Sequence, residues 1–204
     1  MLMLGRHTIN GLSYPTGMAI TPIAKAHLRR RIRAELKEMP AADRRARSLA
    51  ICERLIPFIR QAGCIALFAP RPDEPDLTCL DSAGLWSGRT VLFPTLENST
   101  PAFASAKDWA ELQRGKFGLL TPIQPASSLE PHLVLVPGLA FSRQGDRLGR
   151  GAGFYDRYLA ALDAAVTTVG VAFHLQLIDD LPRDAHDVRV RTVVTEYETV
   201  TGTW

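Results

Sequence analysis

Cysteine is scarce in this chain of 204 residues, with three, at positions 52, 64 and 79. Their odd number and wide spacing fit neither a zinc-ligand pattern nor the paired framework of a small secreted domain. No disulfide is therefore expected, and a reducing, cytoplasmic compartment is. Long apolar runs are missing too: none approaches the ~20 residues of a membrane-spanning helix, so no membrane partner is expected. The leading MLMLGRHTINGLSYPTGM has no continuous apolar stretch of the signal-peptide kind. Residues 1–20 are read as a flexible N-terminal arm, with Met1, Met3 and Met18 as alternative starts. The five histidines (7, 27, 132, 174 and 186) form no H-x-x-x-H pair, so no transition-metal site is indicated. Neither the phosphate loop G-x-x-x-x-G-K-[ST] nor the dinucleotide pattern G-x-G-x-x-G occurs. No repeat, low-complexity tract or linker divides the chain, and residues 21–204 are expected to form one domain.

What is present belongs to a water-exposed globular chain. Hydrophobic residues make up 46% and charged residues 22%, an ordinary balance. The net charge of +3 is unevenly spread: residues 25–47 hold nine Lys or Arg against three acids, which leaves the remainder at −3. Such a stripe suits a polyanionic small molecule, nucleic acid, or only a solvated face. No aromatic residue interleaves with it, which argues against nucleic acid.

Thr21-Pro22 predicts a helix start, with a hydroxyl cap and proline in the first turn. Leu28, Ile32, Leu36 and Met39 then mark its buried stripe, while Lys25, Arg29 and Arg33 share another face. A second helix over 42–59 is expected to bury Ala46, Leu49, Cys52, Leu55 or Ile56, and Ile59. Strands are predicted at 64–69, 90–94, 102–106, 133–136, 166–173 and 190–196, with helices at 76–86 and 155–165. Residues 107–131 read as loop. Continuous apolar strands alternating with helices predict an α/β fold: one three-layer domain with a largely parallel central sheet flanked by helices. With no uncovered apolar helix face, a monomer is expected.

Residues 133–158, LVLVPGLAFSRQGDRLGRGAGFYDRY, carry the strongest functional signal. A strand runs into glycines at 138, 145, 149, 151 and 153, with Arg143, Arg147 and Arg150 among them. Glycines let backbone N–H groups approach an anion, and a helix N-terminus favours negative charge. Arginine forks match phosphate oxygens. A carboxylate beyond the loop, Asp156, stands where a phosphate-bound magnesium ion wants oxygen ligands. Two more segments leave strand ends, where ligands gather in such sheets: PRPDEPDL with Glu74, and LPRDAHDVRV with Asp184, His186 and Asp187.

Together, VPGLAFSRQGDRLGRGAGFYDRYL, the K-x-x-L-R at Lys25 to Arg29, DEPDL after a strand and LPRDAHDVRV…VVTE resemble the 5-formyltetrahydrofolate cyclo-ligase family over about residues 22–197. The resemblance implies ATP-dependent closure of 5-formyltetrahydrofolate to 5,10-methenyltetrahydrofolate in the cytoplasm, with ATP as co-substrate and Mg2+ as cofactor. Matched by position, ATP-binding residues are Lys25, Arg29, Arg147, Leu148, Gly149, Arg150, Gly151, Ala152, Gly153, Phe154 and Tyr155. Substrate-binding residues are Ala69, Glu74, Arg150, Gly151, Ala152, Gly153 and Phe154. Arg150 and Tyr155 would act in catalysis, and Asp156 and Asp187 would ligate the metal. The chain departs from the family pattern in Phe154, where the aromatic pair is usually Tyr-Tyr, and in Thr121, where relatives carry glutamate. A folate- or nucleotide-binding relative with altered or lost ligase activity is the alternative.

Arg150 gives the sharpest expectation. Removing a charged partner of the reacting groups costs about 2–4 kcal/mol of transition-state stabilisation. The Arg150→Ala variant should lose that much in kcat/KM in a steady-state assay, and unchanged turnover would exclude the role.

Overall fold

The computed structural model describes residues 6–9, 12–15, 20–82, 84–97, 100–115 and 120–202, with side chains from residue 22 onward apart from Ser82. The strands among the described residues are β1 (Arg6–Ile9), β2 (Leu12–Pro15), β3 (Cys64–Ala66), β4 (Thr90–Glu97), β5 (Thr100–Ser105), β6 (Leu112–Arg114), β7 (Leu120–Pro122), β8 (Leu133–Pro137), β9 (Ala140–Phe141), β10 (Arg147–Leu148), β11 (Thr167–Val171), β12 (Thr192–Val194) and β13 (Thr199–Thr201). The α-helices are α1 (Ile20–Glu38), α2 (Ala41–Arg60), α3 (Cys79–Ser82) and α4 (Phe154–Ala160).

Seven strands form the central sheet in the order β13-β12-β11-β8-β3-β4-β5. The five inner strands are parallel, while β5 and β13 pair antiparallel at the two edges. Inward alternation explains the layers. Ile65, Val91, Leu133, Leu135, Val169 and Val194 join Leu28, Ile32, Leu36, Ile51 and Leu55 of α1 and α2 in one core. Their neighbours along the strands, Ala66, Leu92, Val134, Val136 and Val193, pack with Leu159 of α4 in the other. Strands buried on both faces need apolar side chains at every position, hence the unbroken runs.

The chain leaves β3 towards β4 on one side and returns through β8 to β11 and β12 on the other. Strand order therefore reverses between β3 and β8, and the loops after these two strands diverge into a crevice. Glu74 follows β3, the glycine-rich segment follows β8, and Asp184 and Asp187 follow β11. Phe141 locks the second of these. A Cβ on Gly138 would lie 2.7 Å from its ring and one on Gly170 2.5 Å from it, so the ring requires both glycines.

Some expectations change. Helix α1 begins at Ile20, ahead of Thr21, and holds Pro22 in its first turn, where a missing N–H costs no helical bond. Helix α2 buries Ser48, Ile51, Cys52, Leu55 and Ile59. Ala46 is exposed and Leu49 is 47% exposed, so the buried face is turned away from both. Ser48 explains the shift: its hydroxyl donates to Arg44 O (2.7 Å) and accepts from the Asp76 N–H (3.0 Å), polar contacts that an apolar count overlooks. The helix expected at 76–86 shortens to α3 because Gly84 and Gly88 turn the chain at positive φ. The helix expected at 155–165 stops at Ala160. Short strands within 107–131 and the backbone hairpin β1-β2 in the leading arm had no periodic signal to reveal them.

A disulfide joins Cys52 of α2 to Cys79 of α3, correcting the expectation of none. The pair is 27 residues apart, and packing of α3 on α2 brings the two Cα atoms to 6.8 Å. Cys64 stays free and buried. The cysteine count thereby loses its force as an argument about compartment. No helix among the described residues is long and apolar enough to cross a membrane.

Substituting Gly170 tests the packing around Phe141. The Gly170→Ala variant should lose about 1–3 kcal/mol by overpacking, seen as a lower urea midpoint. An unchanged midpoint would show that the ring moves aside freely.

Candidate active site

The glycine-rich segment begins as a hairpin, with Arg147 opposite Phe141 and Leu148 opposite Ala140. Gly145 turns it at φ 81°. Beyond β10 the chain needs glycine for two distinct reasons. A Cβ on Gly149 would stand 2.7 Å from Arg147 Nη1, so glycine makes room for that guanidinium. Gly151 (φ 109°) and Gly153 (φ 64°) occupy backbone conformations that side chains resist, and Gly153 leads directly into α4.

This segment forms a wall between two cavities. The first, about 300 Å³, is bounded by Phe68, Ala69, Glu74, Arg150, Phe154 and Tyr155, among others. The second, about 550 Å³, is bounded by Lys25, Arg29, Leu148, Gly151, Asp184 and Asp187, among others. Arg147, Gly149, Ala152, Gly153, Asp156 and Arg157 line both. Every residue given a binding, catalytic or metal role by the family resemblance thus borders one cavity or the other, whereas Arg143 borders neither and pairs with Glu198. Arg150 and Phe154, expected to reach both ligands, and Tyr155, expected at the nucleotide, border the first, whereas Gly151, also expected to reach both ligands, borders the second.

Ion pairs hold the first cavity's polar wall. The Arg150 Nε–H donates to Glu74 Oε1 (3.0 Å), and Nη2 donates to Asp73 Oδ1 (2.7 Å). The Arg71 N–H donates to Glu74 Oε2 (2.9 Å). Burial pushes the Glu74 carboxyl above the usual carboxylate range, against the opposing pull of Arg150 and the Arg71 N–H. Burial, reinforced by the Glu74 charge, keeps the Tyr155 hydroxyl protonated well beyond neutral pH. That hydroxyl is buried and has no hydrogen-bond partner in the protein. It is therefore a neutral donor aimed at nothing the chain supplies.

On the other side, Arg147 Nη2 pairs with Asp156 Oδ1 at 2.6 Å. Arg29 Nε donates to Gly149 O (2.9 Å), tying α1 to the segment. Lys25, itself buried, donates to Asp184 Oδ2 (2.7 Å) and Asp187 Oδ2 (2.5 Å). Burial acts against the Asp187 charge, but the Asp184 N–H and Lys25 outweigh it and hold its pKa below the ordinary value. Potential ligand atoms of Asp184, His186 and Asp187 lie within 4.8 Å of one another, a group to which Asp156 does not belong. The two carboxylates expected to share a cation thus border one cavity, while Asp187's close neighbour is Asp184. Asp184 and Asp73 received no role from the sequence. Their signal was local: each sits one to three residues from a selected acid, in a turn that points both carboxylates one way.

The profile of the 5-formyltetrahydrofolate cyclo-ligase family matches residues 22–196. The chain belongs to this family. The cyclo-ligase of Mycolicibacterium smegmatis is 31% identical over 185 residues, covering 86% of this chain and 95% of that one. The mouse cyclo-ligase is 25% identical over 190 residues, covering 85% and 94%. The solution structure of Aquifex aeolicus 5,10-methenyltetrahydrofolate synthetase superposes with a TM-score of 0.76 at 30% identity, covering 87% of this chain and 92% of that one. A synthetase structure from Mycoplasma pneumoniae, at 21% identity and TM-score 0.68, shares the fold.

Asp187 supplies a pH test in this cyclo-ligase family member. Its lowered folded-state pKa means that its stabilising contribution is present above the unfolded value of about 4 and is lost as pH falls through the folded value. Chemical denaturation should find Asp187→Asn less stable than wild type at pH 7, with the gap closing below about pH 4. A gap that stays constant with pH would remove the ionised Asp187 from the account.

Proposed function

We propose that this chain closes 5-formyltetrahydrofolate to 5,10-methenyltetrahydrofolate, converting ATP to ADP and phosphate. The observation that carries this reading is the shared wall: one glycine-rich segment borders an apolar cavity on one side and a cationic one on the other. Two substrates held there meet across residues 149–153, the arrangement that transfer between them requires.

The larger cavity takes ATP. Lys25 and Arg29 from α1 and Arg147, Leu148, Gly149, Gly151, Ala152 and Gly153 along the segment hold its phosphates, with backbone N–H groups freed by glycine. Asp156 and Asp187 offer the oxygen ligands that a hard cation such as Mg2+ prefers. When bound, that cation supplies charge neutralisation at the phosphate oxygens.

The smaller cavity takes the reduced folate. Glu74 accepts from pterin N–H groups, Ala69 meets the ring, and Phe154 offers an aromatic face. The formyl oxygen attacks the γ-phosphorus and ADP departs, giving a phosphorylated imidate-like intermediate. N10 then attacks the formyl carbon and loses its proton. Cleavage of the carbon–oxygen bond releases phosphate with the former formyl oxygen and leaves the methenyl bridge. The nucleophiles belong to the substrate, so the protein's task is alignment and electrostatic stabilisation. Arg150 and the neutral Tyr155 hydroxyl stand beside the cavity where the activated formyl group forms. Both cavities are built from one chain, and a monomer suffices.

Turnover of 5-formyltetrahydrofolate with Mg-ATP, followed by the near-ultraviolet absorbance of the product, tests this directly. Wild type should form product only with ATP, and Asp156→Asn should fall by on the order of 100-fold. Folded wild-type protein that forms none would overturn the proposal and leave a ligand-binding relative.

A further inference from the structure

The Lys25 ammonium group, which lines the larger cavity, is already paired with carboxylates of that cavity. Lys25 carries a side chain only 7% exposed, and its Nζ lies 2.7 Å from Asp184 Oδ2 and 2.5 Å from Asp187 Oδ2. Two carboxylates against one ammonium leave this wall net negative. The turn is also self-bracing, since the Asp184 N–H donates to Asp187 Oδ2 at 2.7 Å. Beside the arginines of this cavity, Arg29, Arg147 and Arg157, a polyphosphate arriving without a cation therefore meets two carboxylates and a lysine whose charge is spent, in a partly buried setting where repulsion is weakly screened. A divalent cation meets the opposite situation. Ligand atoms of Asp184, His186 and Asp187 lie within 4.8 Å of one another, and carboxylate oxygens are the donors such an ion prefers.

We infer that Asp184 makes nucleotide binding depend on a divalent cation: together with Asp187 it holds Lys25 until a cation takes over the carboxylates and releases the ammonium to the phosphates. This rests on the reading that the larger cavity takes the nucleotide. Asp184 is a positioning residue acting through Lys25, and its effect is selectivity for the cation complex over free nucleotide. Cation and nucleotide binding are then coupled, and by linkage each strengthens the other.

The same exchange predicts the behaviour of Lys25. Its amine should react slowly with an acylating reagent in the cation-free protein, faster when Mg2+ alone is added, and slowly again with Mg-ATP.

Calorimetric titration with ATP in excess EDTA, and with ATP plus Mg2+, compares wild type with Asp184→Asn. Wild type should bind ATP at least about tenfold more tightly with Mg2+. The variant should bind cation-free ATP about tenfold more tightly than wild type does and gain little from Mg2+. A merely structural role for Asp184 would weaken both titrations together. Should Asp184→Asn fail to fold, acylation of Lys25 in the wild type, read by mass spectrometry, decides: no acceleration by Mg2+ alone overturns the inference. Mg-ATP bound equally by both proteins, with cation-free affinity unchanged in the variant, overturns it while the proposed function stands. Failure of wild type to bind ATP under either condition overturns both.

Discussion

Reversal of strand order between β3 and β8 is the constraint on which the rest of the molecule depends. Parallel neighbours whose chains depart in opposite directions leave a gap at their carboxyl ends that no side chain of the sheet can close. The segment after β8 lies in that gap as a partition, and the loop after β3 forms the far wall. Phe141 fixes the partition's base, wedged where Gly138 and Gly170 leave room for its ring. Gln176 strengthens that base: fully buried, it donates from Nε2 to Gly138 O (2.9 Å) and Leu139 O (3.2 Å). A two-sided wall is costly in ordered backbone, and these contacts offset that cost by making its first turn part of the core.

Charge is arranged on the two sides according to what each must hold. Around the smaller cavity, acids and arginine are paired within the wall, so the interior presents apolar surface, one buried carboxylate and one unpartnered phenol. Such a lining discriminates by shape and by a few placed polar atoms. The larger cavity is lined by lysine, arginine and aspartate side chains, which answer to phosphate and cation. Arg147 serves both sides, for its guanidinium pairs with Asp156 while lying 5.8 Å from the centre of the Tyr155 ring. A single side chain thus connects the electrostatics of the two cavities.

Legibility in the sequence followed the physics of each element. The inner strands were readable because burial on both faces demands unbroken apolar runs. The stripe of α1 was readable because Leu28, Ile32, Leu36 and Met39 repeat at helical spacing. By contrast, two- and three-residue strands such as β9, β10 and β13 carry no period. On α2, Cys52, Leu55 and Ile59 are buried as expected, but Ala46 and Leu49 were misread, because Ser48 is held inside by hydrogen bonds. Loops gave up their chemistry through composition alone: five glycines and three arginines exceed what a turn requires.

The sequence by itself determined the α/β class, the family and the residue types that border the cavities, because these are written in local periodicity and in contiguous motifs. Only the tertiary structure decided which residues face which cavity, since one segment presents neighbouring side chains to opposite sides. It also decided that Cys52 and Cys79 are joined and that Asp184 shares Lys25 with Asp187. Those pairings span 27 and 159 residues. No periodicity or spacing reaches across such separations; packing of distant elements does.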